Sequence, residues 1–168
     1  MRRTALALLV MLCAAPAFAE DAPDDKDDKA DAPAVPCTPP KELKADMQPP
    51  WEAACKFFSA VAERDAVKVY KLLKVPFYFE NKQVSGLEDA GRKWASLLND
   101  LGKAQSTLYS VDVLTYDDMV KKYGKPPSKL DNVPLRGAMI AVGNVDGHAQ
   151  VAALKRDGGS WMVFAFHD

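Results

Sequence analysis

Two spacings of apolar side chains divide this sequence. Trp51, Ala54, Cys55, Phe58, Val61 and Ala62 recur at three- and four-residue intervals, which predicts a helix opened by Pro49-Pro50. Asp65 is placed to cap a second, short helix with Val69, Leu72 and Leu73 inward, ended by Pro76, which biases Val75 away from helix. A third stripe of Leu87, Ala90, Trp94, Leu97, Leu98 and Leu101 begins at the capping box Ser85-Gly86-Leu87-Glu88 and stops at Gly102. Between the second and third helices, Phe77-Tyr78-Phe79-Glu80 alternates as a strand, with Asn81-Lys82 turning it back toward Val84. Ser106–Tyr116 reads as a long strand, Asp117–Tyr123 as a short surface helix ended by Gly124, and Lys125–Asn132 as a Pro-containing loop. The last third changes period. Leu135–Gly143, His148–Lys155 and Ser160–His167 are strand-like runs separated by Asn144-Val145-Asp146-Gly147 and Arg156-Asp157-Gly158-Gly159. Asp-Gly between apolar runs is a strong hairpin signal, because primed turns need positive φ. Helices followed by a meander predict an α+β domain in which a curved antiparallel sheet wraps around three N-terminal helices.

The N-terminus adds a compartment to this picture. Met1-Arg2-Arg3, the apolar run Ala5–Ala15 and Ala17-Phe18-Ala19 form the pattern of a secretory signal peptide cleaved after Ala19. That run is too short to span a bilayer, and no other long apolar run follows. Bulky Leu12 before Cys13 does not fit a lipoprotein signal. Glu20–Pro36 holds seven acidic residues, two lysines and three prolines, so it cannot bury enough surface to offset ordering entropy. The expected division is therefore a signal at 1–19, an acidic Pro-containing linker at 20–48 and one domain at 49–168. Export to a periplasmic or extracellular space favours pairing of Cys37 with Cys55, closing a loop of roughly 17 residues worth about 3 kcal/mol. Beyond Pro36 the chain has 18 basic and 16 acidic residues with no basic stripe, which argues against a nucleic-acid partner.

Phe57-Phe58 on the first helix, Asp65 opening the second, the Pro76-Phe77 strand, the Ser85-capped helix and a final Gly159-x-Trp161-x-Val163 strand together resemble the nuclear transport factor 2-like superfamily, also described as ketosteroid isomerase-like or SnoaL-like. The resemblance spans Trp51–Asp168. It implies a cone with an apolar pocket at its wide end, in a family of isomerases, cyclases and dehydratases alongside proteins that only bind or dimerise. Fold alone does not choose among them. Counted without gaps from Asp65, the isomerases' acidic pair falls on Glu80 and Asn81, and their helix-one tyrosine falls on Phe57. Asn81 cannot serve as a titrating base and Phe57 has no hydroxyl to donate.

Other residues carry candidate chemistry. Glu80, Asp112 and His148 are the acid/base alternatives, with Asp112 able to act as a desolvated carboxylate if it faces the cone's interior. Tyr78, Asp112, Tyr116, Arg136, His148 and Gln150 are the candidate ligand-binding set, a few polar fixtures in an apolar pocket. His148 and His167, the two histidines, make no zinc site without further ligands, and neither a metal nor a cofactor is expected. No Gly-x-Ser-x-Gly elbow or glycine-rich phosphate loop is present. The sequence favours an exported, non-catalytic protein that binds a small apolar molecule or self-associates as a homodimer through its sheet. The alternative is an acid/base enzyme of isomerase, dehydratase or cyclase type.

Overall fold

Six strands form one curved, unclosed sheet in the order β2-β1-β6-β5-β4-β3, preceded and interrupted by helices. The computed structural model describes residues 37–100, 102 and 105–168. The predicted signal peptide with Cys13, the acidic stretch up to Pro36 and the stripe residue Leu101 lie outside the described residues. In chain order the elements are α1 (Gln48–Ala62), α2 (Ala66–Tyr70), β1 (Leu73–Phe79), β2 (Lys82–Val84), α3 (Leu87–Asp100), β3 (Leu108–Thr115), α4 (Tyr116–Tyr123), β4 (Met139–Val145), β5 (His148–Asp157) and β6 (Ser160–His167). A single 3-10 turn, Ser128–Leu130, lies between α4 and β4.

The turn chemistry explains the meander. Asp146 and Gly147 take φ of 52° and 82°, and Gly158 and Gly159 take 55° and 103°, so each hairpin closes on two residues rather than four. Val145 therefore pairs with His148 and Asp157 with Ser160. At its other end β4 starts later than the apolar run suggested. Gly137 (φ 73°) and the Ala138 N–H bonded to the Leu135 carbonyl make Leu135–Ala138 a turn.

Pro76 does not end a helix here. α2 stops at Tyr70 and β1 runs through Pro76, where the ladder to β6 slips between Leu73 and Tyr78. Pro has no N–H to give the ladder, so the irregularity falls where pairing would fail anyway. β1 and β6 pair in parallel, and all other neighbours are antiparallel.

The concave face holds the main core. α1 places Trp51, Ala54, Phe57, Phe58 and Val61 on it, and α3 places Ala90, Trp94 and Leu98, all buried. Rings fill the centre. Trp94 lies 4.7 Å from Phe166, 5.4 Å from Phe57, 5.6 Å from Phe79 and 6.3 Å from Phe77, mostly edge-on. Burying each such side chain contributes about 1.5–3 kcal/mol. The expected apolar hollow is thus occupied by the protein's own aromatics. Cys37 and Cys55 are bonded (Cα–Cα 5.9 Å), which fastens the turns before α1 onto that helix. Leu43 and Met47, from the stretch expected to be linker, pack against the core.

The convex face is covered as well. Met119 of α4 and Leu130, Val133 and Leu135 of the following segment pack with Ile140, Ala153, Phe164 and Ala165. Thr115 caps α4 by accepting from the Asp118 N–H at 3.2 Å. Two polar ties hold this strap. Lys122 Nζ and Tyr123 Oη donate to Asp112 Oδ2 at 2.7 and 2.8 Å, and Lys129 Nζ donates to Glu80 Oε1 at 2.7 Å.

Candidate ligand-binding site

α1 ends at Ala62, and Arg64 after it adopts φ 58°, which turns the chain at one end of the concave face. There the Ser106 N–H donates to the Ala62 carbonyl, and Asp146 exchanges backbone and side-chain bonds with Thr107. The Thr107 N–H donates to Asp146 Oδ1 at 2.7 Å. The Asp146 N–H donates to the Thr107 carbonyl at 2.9 Å. Arg64 Nη2 donates to Ser106 Oγ at 2.9 Å. Hydrogen bonds from Ser106 and Thr107, with the nearby Arg64 charge, hold the Asp146 carboxyl below the usual carboxylate range.

These residues frame a pocket of about 430 Å³ lined by Val61, Arg64, Ser106, Val145, Asp146, His148, Ala149, Gln150 and Asp168. Gln150 is the decisive member. It lies on the inward face of β5 opposite Gly143, and among the described residues it is the polar side chain that is buried, at 6% exposure. Its Nε2 donates to Asp168 Oδ1 at 2.8 Å, which fixes the amide's orientation, since a flipped amide would set oxygen against carboxylate. Among the described residues none donates a hydrogen bond to its Oε1. A buried acceptor left unpaired costs about 1–3 kcal/mol.

Opposite Gln150, α1 and the sheet approach closely at Gly143. A Cβ on Gly143 would sit 2.6–2.7 Å from ring carbons of Phe58, so only glycine lets α1 lie this near the sheet.

The sequence-derived candidates divide among three places. His148 and Gln150 meet in this pocket, His148 being exposed at its rim. Tyr116 and Arg136 meet elsewhere, in a cleft with Asp117 between the start of α4 and the turn before β4. Tyr78 lies on the convex face, edge-on to Phe164 at 6.4 Å. Asp112 and Glu80 are both ends of the strap ties. The Lys122 hydrogen bond, aided by Tyr123, lowers the Asp112 pKa, and the Lys129 hydrogen bond lowers that of Glu80. An inward, desolvated Asp112 with a raised pKa is therefore not what forms, because β3's register turns it to α4. Phe57 is fully buried in the ring cluster. Arg64, Ser106, Asp146 and Asp168 escaped the sequence reading. Only Asp146 carried a local signal, and that signal was its turn.

Three helices, α1, α2 and α3, packed with a curved sheet are the arrangement the resemblance implied, whereas the apolar pocket it implied is filled by aromatic rings and the pocket beside the end of α1 is largely polar. The fold is α+β, with one curved, unclosed six-stranded sheet packed by helices. No family model matches the sequence, and no curated protein does. Among solved structures, the chain is similar to a candidate calcium/calmodulin-dependent protein kinase type II association domain from Thiobacillus denitrificans, at 13% identity over 68% of this chain and 89% of that one (TM-score 0.43). A candidate association domain of the same kind from Xanthomonas campestris is similar at 14% identity over 77% and 89% (TM-score 0.41). A chain named Rd1NTF2_05, with five substitutions, is similar at 14% over 68% and 91% (TM-score 0.39). These likenesses carry nothing about activity or partner. Among the described residues no helix is long and apolar enough to cross a membrane, and no cluster of three or more His, Cys, Asp or Glu is placed to hold a metal ion.

Proposed function

We propose that this is an exported, non-catalytic binding protein whose ligand sits at the mouth of the cone, against Gln150, rather than in its centre. The observation that supports the reading is the buried Gln150 Oε1, which has no donor among the described residues and belongs to a side chain lining a pocket built from α1, β4, β5 and the chain end. The aromatic cluster supports moving the ligand outward from the apolar core. The covered convex face supports binding over self-association through the sheet, since α4 and its following segment occupy the surface a second copy would need. Two of the three acid/base candidates, Glu80 and Asp112, are engaged by lysines on the far face, which supports a binding role over catalysis. The disulfide is consistent with an oxidising compartment, and together with the signal-like N-terminus it supports a periplasmic or extracellular location.

The test is an NMR titration of the 15N-labelled mature chain with a fractionated small-molecule extract of its medium. Saturable shifts centred on Val61, Ser106, Val145, Ala149 and Gln150 are expected. Shifts confined to the α4 cleft, or none with any fraction, would defeat the reading.

A further inference from the structure

We propose that the ligand taken at Gln150 carries a protonated amine on a short aliphatic body. This rests on the reading of the pocket as a binding site and names the chemistry it selects. The polar inventory of the pocket is unbalanced toward acceptors. Among the described residues none donates to Gln150 Oε1, and the Asp168 carboxylate receives a bond from Gln150 Nε2. Asp146 adds a second carboxylate. On the donor side, the Arg64 guanidinium is engaged by Ser106 Oγ and lies close enough to Asp146 to influence its charge. One guanidinium against two carboxylates leaves an excess of negative charge, leaving His148 aside.

An ammonium group suits that inventory. It has three donors and no acceptor, so it can give one proton to the buried amide oxygen and another to a carboxylate without leaving a group of its own opposed to an acceptor. A carboxylate ligand would meet two like charges and a carbonyl oxygen. A hydroxyl could satisfy Gln150 but would gain nothing from the carboxylates. Val61, Val145 and Ala149 line the same pocket and offer apolar contact to a short hydrocarbon body. The size agrees, since a pocket of about 430 Å³ falls at the small end of the range for small-molecule sites.

The experiment titrates the full mature chain with n-butylammonium chloride, n-butanol and sodium butyrate in separate arms, at ionic strength matched with potassium chloride. It follows the Gln150 side-chain amide pair and the Val61, Val145 and Ala149 resonances. Saturable shifts with the ammonium, at least tenfold tighter than with the alcohol, are expected. Gln150→Leu should weaken the ammonium at least tenfold while nearly keeping the thermal midpoint, because relief of the unpartnered buried acceptor offsets loss of the bond to the exposed Asp168. A merely structural glutamine would lower the midpoint and leave ammonium binding unchanged, which would overturn the proposal. Should Gln150→Leu fail to fold, Asp168→Asn at the exposed rim decides, with the same tenfold loss expected. Equal binding of butanol, or binding of butyrate alone, would overturn the amine while leaving a binding pocket in place. No shift in any arm would also overturn it, and the extract titration then decides separately whether the pocket binds anything.

Discussion

Gly143→Ala tests whether the close packing of α1 on the sheet shapes the mouth of the cone. The new Cβ would lie 2.6–2.7 Å from three ring carbons of Phe58, closer than packed carbons approach. Phe58 cannot easily yield, since it is fully buried and its ring stands edge-on to Phe57 at 5.4 Å. Overpacking of a filled core costs about 1–3 kcal/mol. Alanine returns about 0.4–1 kcal/mol by restricting the unfolded chain, because Gly143 does not occupy positive φ. The net expectation is a loss of about 1–2 kcal/mol, read as a lower urea midpoint at unchanged m-value and a fall in Tm of roughly 4–8 °C. Combining it with Phe58→Leu should recover about 1 kcal/mol or more in a double-mutant cycle, since the leucine vacates the space the methyl needs. An unchanged or raised midpoint, or additive behaviour with Phe58→Leu, would refute the packing argument and with it the claim that Gly143 sets the distance between α1 and β4.

Three further outcomes are expected. Reducing the Cys37–Cys55 bond, or replacing both cysteines by alanine, should cost about 2–3 kcal/mol for a closure of 18 positions, checked by urea midpoints with and without reductant; equal midpoints would show the tie to be idle. Acid should loosen the strap: Asp112 and Glu80 have folded pKa values below their ordinary ones, so their stabilisation is present above the ordinary carboxylate range and is lost as pH falls through the folded values. Asp112→Asn should therefore lower stability at neutral pH and flatten the decline below about pH 4, and a decline of unchanged steepness by circular dichroism would count against this. Asp146→Ala should cost about 2 kcal/mol, from its positive φ and the lost acceptor for the Thr107 N–H, while Asp146→Gly recovers the backbone share; equal midpoints for the two variants would remove strain from the account.

Local rules carried far along this chain. The α1 and α3 stripes, the Asp-Gly and Gly-Gly turns and the cysteine pair were legible because each follows from a few neighbouring residues: helical period, positive φ, or a short loop closed in an oxidising compartment. Gln150 was legible as a polar residue in an apolar strand, but not its missing partner, which depends on where Asp168 and the end of α1 arrive. The direction of Asp112 and Glu80 was decided by β3's register and by a strap that the sequence shows only as a short helix and a proline loop. The largest change was to the cone's interior. Sequence supplied enough apolar surface to line a hollow or fill one, and the two uses have the same composition. Only the meeting of Phe57, Phe77, Phe79, Trp94 and Phe166, brought from two helices and two strands, closed the centre and left the opening at its edge. Periodicity says which side of an element is buried; it holds no term for the distance between two buried sides.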